Sequence, residues 1–414
     1  MSGHDHAKPV GGKILDPLMK VLLGLFGVSA VVMVYRFFTA IGPVSNMTDG
    51  YTWGIWEPVN VVVFTGIGAG AYGVGLLCYL LNKGKYHFLV RPAVLVGAIS
   101  YTLGATSILI ALGRYWNAYW LAAIPYWNLA SALLEVAVCV LSYVVVLWIE
   151  VLPAVFDGSA ASPDPATAAA GRKWGALLDK AMPFIIALAI LLPTMHQSSL
   201  GGLMLIAGPK IHPLWHNALL PTLFLISCLS MGYGAVVALV NIMRLGWKAK
   251  QDQALFAEMS KVNAGLLFLY SALRIGEIVV HGKLRYLGAN FPTVLFLFEM
   301  ALFLVPAVMF LSPGVQANRG KMFGAALLAV AAGAFYRVDT YLTMYRPAGW
   351  TDGKANVAGW DYFPSLGETT VTVGMAAIGI AAFLFISRKF PVVVVDDANS
   401  STLGSGHARA ASSH

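Results

Sequence analysis

Apolar stretches of about 20 residues alternate with short polar breaks along most of the chain. Ten such stretches stand out, at 18–41, 57–81, 91–112, 127–151, 181–207, 214–240, 261–280, 292–311, 321–343 and 368–388. At a rise of about 1.5 Å per residue, each is long enough as a helix to cross a hydrocarbon layer about 30 Å thick. The pattern predicts an all-α, polytopic membrane protein of about ten transmembrane helices. The fifth stretch is open to two readings. It either runs through Pro193 or stops there, leaving "TMHQSSLGGLMLIAG" as a broken or re-entrant helix backed by protein. The small, polar, proline-containing segment "FDGSAASPDPATAAAGRK" reads as a flexible linker, at about 153–175, between the fourth and fifth spans. The domain plan is an N-terminal tail at 1–17, a membrane domain at 18–390 and a disordered tail at 391–414.

Composition agrees with this plan. The chain of 414 residues is 58% hydrophobic and 11% charged, against about 25% charged in soluble domains. The net charge of +8 needs no nucleic acid to explain it, because Lys and Arg collect in cytoplasmic loops beside anionic lipid. With the N-terminus inside, 18 of the 27 Lys and Arg fall in inner loops and tails. Seven fall in outer loops, namely Arg114, Lys210, Lys283, Arg285, Arg337, Arg346 and Lys354. This bias places both termini in the cytoplasm. The N-terminal "MSGHDHAKPVGGKILD" lacks the pattern of a cleaved signal peptide, so the first span is expected to serve as an uncleaved insertion signal. Eight of the eleven Trp lie at or near the outer face, and the aromatic, Gly-rich loop 344–367 there has the character of a partner-binding loop. Cys78, Cys139 and Cys228 are far apart inside apolar spans, which argues against disulfides, structural zinc and cysteine-held iron–sulfur clusters.

Ionisable residues inside spans carry the chemical information. Glu135 lies within "SALLEVAVCVLSYVVVLWIE", roughly 12 Å below the outer face if the span starts at Trp127. Tyr101, on the preceding antiparallel span, falls about one turn deeper, so the phenol and the carboxylate are placed to share a cavity. Glu135 has no opposite charge at i±3 or i±4. It is either a protonated packing residue or a proton relay. Glu299 lies about 10 Å below the outer end of its span, and Arg274 and Glu277 are spaced as a structural ion pair. Arg36 and Glu368, at outer span ends, have the positions of snorkelling residues. The run His196, Gln197, Ser198 and Ser199 either satisfies a broken helix or forms a polar wall for a quinone head group, whose carbonyls need donors. "GRYWNAYW" adds Arg114 and Trp116 near the same face.

The histidines do not favour haem. Only His196 is well inside a span, His212 and His216 straddle Pro213, and His281 is at a span end. "TGIGAGAYGVG" has the spacing of a nucleotide loop but lies within the second span, where small residues serve close helix packing.

Several long stretches carry a resemblance: "YTWGIW", "LVRPAVL", "GRYWNAYW", "LLEVAVCVLSYVVVLWIEVLPA", "ILLPTMHQSSLGGLML", "HPLWHNALLPTLFLISC", "FEMALFLVPA" and "YRVDTYL". In these, over nearly all of 50–390, the sequence resembles the HybB-type membrane subunits of nickel–iron hydrogenases, within the wider NrfD/polysulfide-reductase family. The resemblance implies a quinone-reacting subunit without haem or iron–sulfur centre of its own. It would dock a ferredoxin-like iron–sulfur subunit on the periplasmic face, and through it hydrogenase small and large subunits. Menaquinone or ubiquinone would be its substrate. Tyr101 and Glu135 match family positions tied to the quinone site and its proton path, with Glu299 as a further relay carboxyl. Tyr101, Arg114, Trp116, His196, Gln197 and Ser198 are the expected head-group contacts. The same residues allow other readings: the membrane subunit of a molybdenum or multihaem partner, a proton or ion transporter, or an anchor.

Overall fold

A computed structural model describes residues 7–51, 53–81, 83–347, 349–350 and 362–395. Ten membrane-length helices are present among them: α1 Pro17–Thr39, α2 Trp56–Leu80, α3 Gly84–Ala111, α4 Ala132–Ala160, α5 Pro165–Ile206, α6 Leu220–Trp247, α7 Gln253–Val280, α8 Phe291–Leu311, α9 Arg319–Thr343 and α10 Leu366–Lys389. No strand occurs among the described residues, only three isolated bridges. The all-α, ten-helix expectation holds.

Helices α2 to α5 pack around one another, α6 to α9 form a second four-helix group, and α1 pairs with α10 beside α3. The groups meet where α2 and α5 lie against α6. That seam depends on glycine. A Cβ on Gly232 of α6 would lie 2.7 Å from backbone atoms of Ala69 and Gly70 of α2. The small residues of "TGIGAGAYGVG" therefore serve helix packing, as expected.

Three expectations about the elements need correction, and one reading left open by the sequence is decided. First, the segment expected as a flexible linker at about 153–175 is a helical hairpin: α4 continues to Ala160 and α5 begins at Pro165, capped by Asp164 accepting from the Thr167 N–H. Pro165 stands at the first helical position, where it is favoured, and the alanines after it are strong helix formers. A Cβ on Gly171 would lie 2.6 Å from the Ala160 nitrogen, so the two arms touch. Second, α5 runs unbroken for 42 residues through Pro183 and Pro193, about 63 Å, and is not a re-entrant segment. Third, α4 starts at Ala132 rather than Trp127, which puts Glu135 in its first turn. Fourth, residues 391–395 are not a loose tail. Val393 bridges to Lys8 and Val395 to Ala249, and Val392 and Val393 are buried, because four consecutive valines can fill a groove between helix ends. Residues 396–414, and residues 348 and 351–361 of the aromatic 344–367 loop, lie outside the described residues.

The chain ends described here share one face of the bundle, called the terminal face below. Asp16 caps α1 there, accepting from the Met19 N–H at 2.8 Å and pairing with Arg388 of α10. That backbone bond, with Arg388, holds its carboxyl below the usual range. At the other face, Arg36 and Glu368 do not snorkel. Arg36 is buried and donates to the Ile110 and Leu112 carbonyls. Glu368 is buried in a capping box with Ser365 and receives the Asn46 N–H.

Candidate functional site

Where the two helix groups meet, polar side chains converge inside apolar helices. Tyr101 of α3, Thr65 of α2, His196 and Gln197 of α5 and Arg337 of α9 are all fully buried. The Gln197 amide nitrogen lies 3.3 Å from both the Thr65 hydroxyl and the Tyr101 hydroxyl. Its carbonyl oxygen accepts from Arg337 Nη2 at 3.2 Å. Arg337 Nη1 donates to Ser227 Oγ of α6 at 3.1 Å and to the Gly333 carbonyl at 2.9 Å. Glycine makes the room. A Cβ on Gly66 would meet Arg337 Nε at 3.3 Å, and one on Gly68 would meet the Tyr101 ring at 3.0 Å. Irregular turns of π type at Trp56–Val63 and Asp339–Thr343 flank the cluster, a feature frequent at functional sites.

The cluster is not internally complete. Arg337 Nε and His196 Nε2 have no hydrogen-bond partner, and neither has the buried side-chain amide of Asn60, five residues before Thr65 on α2. No carboxylate lies within salt-bridge distance of Arg337 among the described residues. A buried guanidinium without a counter-ion is expensive, and buried unsatisfied donors call for an explanation. The arrangement is suited to hydrogen-bond an electron-rich oxygen, such as a carbonyl.

The expected site residues divide. Tyr101, His196 and Gln197 are brought together, with the His196 ring edge-on to Tyr101 at 5.5 Å. Ser198 is not part of the group, since its hydroxyl donates to the Thr194 and Met195 carbonyls of its own helix. Arg114 and Trp116 are exposed in the α3–α4 loop, and the described hydrogen bonds and ring contacts link neither to the cluster. Glu135 is exposed rather than buried, and accepts from Ser199 Oγ at 2.7 Å. The α4 residue against Tyr101 is Tyr143, ring to ring at 4.6 Å. It lies about 12 Å along the helix from Glu135.

The proposed Arg274–Glu277 ion pair does not form. Arg274 reaches across to α8 and pairs with Glu299 at 3.1 Å, and the Tyr270 hydroxyl donates to the same carboxylate at 2.6 Å. Glu277 pairs with Lys283 at 2.5 Å, because it lies one turn nearer the helix end, within reach of the loop lysine. Glu299 is therefore a fixed counter-ion. Asp339 is buried nearby, close to Thr343 and Trp215 but without a hydrogen bond of normal geometry.

Sequence reasoning missed Arg337, Thr65, Ser227 and Asn60. Arg337 was assigned to the outer loops, yet it lies within the apolar stretch 321–343, two residues from Asp339. An Arg and an Asp two residues apart inside one span are the available signal.

The donor set does not fit a bis-histidine haem. His196 is turned toward Tyr101 and Gln197, and no described residue sets a second imidazole opposite it. The His212 ring is enclosed by Trp350, Trp215 and Tyr286, and its Nδ1 accepts from the Leu214 N–H. No group of three His, Cys, Asp or Glu suited to a metal occurs among the described residues.

Comparison with known proteins places the chain. Residues 43–342 match the family model described as polysulphide reductase, NrfD. The chain is 33% identical over 395 residues, 94% of its length and 95% of the relative's, to a probable Ni/Fe-hydrogenase 2 b-type cytochrome subunit of Escherichia coli K12. It is 25% identical over 321 residues, 71% of this chain and 73% of the relative, to the integral membrane subunit of a menaquinone reductase from Nitratidesulfovibrio vulgaris. It is 22% identical over 408 residues, 89% of this chain and 96% of the relative, to the integral membrane subunit of an Hdr-like menaquinol oxidoreductase from Archaeoglobus fulgidus. With the ten-helix fold and a family match over most of its length, the chain belongs to the NrfD, or polysulfide reductase, family of integral membrane proteins.

Proposed function

We propose that this protein is the quinone-reacting membrane subunit of a respiratory oxidoreductase, with a nickel–iron hydrogenase as its outer partner. The observation that carries the reading is the pair of buried, unpartnered nitrogens, Arg337 Nε and His196 Nε2, set with the Tyr101 hydroxyl around Gln197. In this role Arg337 Nε and His196 Nε2 hydrogen-bond a quinone carbonyl, and the Tyr101 hydroxyl stands beside it to pass a proton. The relatives named for menaquinone chemistry favour menaquinone over ubiquinone, and the hydrogenase-named relative supports the partner.

Electrons pass between the quinone and an iron–sulfur subunit docked on the face opposite the chain ends, and through it the hydrogenase small and large subunits. That face is periplasmic and both termini are cytoplasmic. The subunit uses no haem of its own, consistent with the histidine geometry. Glu135, exposed at the face opposite the chain ends, holds the Ser199 hydroxyl of α5 in place rather than relaying protons. Glu299, held by Arg274 and Tyr270, sets the local field rather than moving as a relay.

The test is Tyr101→Phe and His196→Ala in the assembled complex. Each lowers quinone-linked turnover by about tenfold or more, while donor oxidation with an artificial dye, which bypasses this subunit, is unchanged. Wild-type quinone turnover in both variants would refute the site.

A further inference from the structure

A cavity of about 1450 Å³ opens on the terminal face, among the ends of α2 to α5 and the 390–394 segment. Its wall carries the charged side chains of Lys85, Arg91, Asp157 and Asp179. A second cavity, of about 10 Å³, continues inward and shares Tyr79 and Glu150 with the first. Its inner end is formed by Tyr72 and Tyr143. Space of that size is on the order of one water molecule.

From this taper we propose that protons for the quinone reach the site from the terminal face, with Glu150 as the entry carboxyl. The inference rests on the quinone-site reading above.

Two independent features mark the route. Glu150 is half-buried in α4 and has no salt bridge or hydrogen bond to any described residue, whereas Glu277 and Glu299 are both paired. An unpaired carboxyl lining a cavity within a membrane helix has the placement of a proton-carrying group. The Tyr143 hydroxyl, fully buried and without a partner, borders the inner cavity, and its ring abuts Tyr101. Glu150 and Tyr143 are seven residues apart, on one face of α4 and about 10 Å along it. On the third wall the Tyr72 hydroxyl accepts from Thr194 Oγ1 at 2.7 Å, one short step along α5 from His196 and Gln197. Hydroxyls from three helices, Tyr143, Tyr72 and Thr194, thus stand between Glu150 and the donor cluster. Glu135, at the other face, then positions Ser199 and is not the entry.

The chemistry balances as quinone plus two electrons plus two protons giving quinol, one proton forming an O–H bond at each carbonyl oxygen. The electrons come from the docked partner, which oxidises its donor, hydrogen in the reading above, on the opposite face. Protons released there and protons taken up at the terminal face make the reaction electrogenic.

The experiment uses the complete complex in sealed vesicles, with a pH dye confined to the side facing the termini and hydrogen and a short-chain quinone as substrates. The wild type is expected to draw about two protons per quinone from that side, as the reaction stoichiometry requires. Glu150→Gln is expected to lower quinone turnover and proton uptake together by at least about tenfold, with dye-linked hydrogen oxidation intact. Glu150→Asp should recover part of the loss, and Glu135→Gln should leave the side of uptake unchanged. Uptake from the opposite side by the wild type, or full turnover in Glu150→Gln, overturns the inlet while the quinone site stands. No quinone turnover in a wild-type complex that retains dye activity overturns the quinone reading and the inlet with it. If Glu150→Gln does not assemble, the wild-type side of uptake alone decides.

Discussion

Arg337 is the residue on which the functional account turns. It is fully buried, and its charge is opposed by no carboxylate among the described residues. Arginines kept for stability in apolar surroundings are normally paired, and breaking such a pair costs about 3–5 kcal/mol. Arg274, paired with Glu299, fits that description. Two substitutions should therefore behave differently. Arg274→Met leaves the buried Glu299 without its counter-ion, held only by the Tyr270 hydroxyl, and is expected to destabilise the protein by about 3–5 kcal/mol, read as loss of the folded detergent-solubilised protein on heating. Arg337→Met removes a charge that nothing in the fold neutralises. It is expected to change the melting temperature little while lowering quinone-linked turnover by about tenfold or more, the scale for losing charge-assisted hydrogen bonds. Equal destabilisation in both variants, with turnover per folded molecule preserved in Arg337→Met, would make Arg337 a structural residue.

At the scale of helices, the spans were legible because roughly 20 apolar residues between polar breaks permit few other structures. What escaped was decided by tertiary contact. The Asp164–Pro165 turn looked like a linker, since proline usually breaks helices, but here the proline begins one. The start of α4 was placed too early because Trp127 and its neighbours are apolar, yet they belong to irregular turns before Ser131. That error buried Glu135 on paper. Tyr101, His196 and Gln197 were legible as polar residues in apolar spans. Arg337 was not, because its partners come from α5 and α6, more than 100 residues away in sequence.

Two further outcomes belong at this scale. Gly232→Leu should disrupt the α2–α6 seam, because the nearest atoms to its Cβ are backbone and cannot give way. Overpacking of this kind costs about 1–3 kcal/mol or more, and an unchanged melting curve would show that the helices are not in such close contact. Asp16 joins α1 to α10 with a carboxyl held below its usual range by the Met19 N–H and Arg388. Its contribution is present above the unfolded value, near pH 4, and is lost as pH falls through the folded value. The difference in melting temperature between wild type and Asp16→Ala should therefore be present at neutral pH and shrink in acid. A difference that grows in acid would contradict the assignment.

For the whole molecule, the proposed quinone site stands between two faces with different surroundings. The terminal face carries a tapering cavity lined by charged side chains, and the unpartnered donors lie between it and the face proposed to meet a redox partner. The central claim is that a quinone occupies that intermediate position. Photolabelling of the intact complex with an azidoquinone, followed by peptide mapping, tests it most directly. Label is predicted on α3 near Tyr101, on α5 near His196 or on α9 near Arg337, and it should be suppressed by excess unmodified quinone. Quinone-protectable label confined to the 112–131 loop around Arg114 and Trp116, with none on those three helices, would contradict the account.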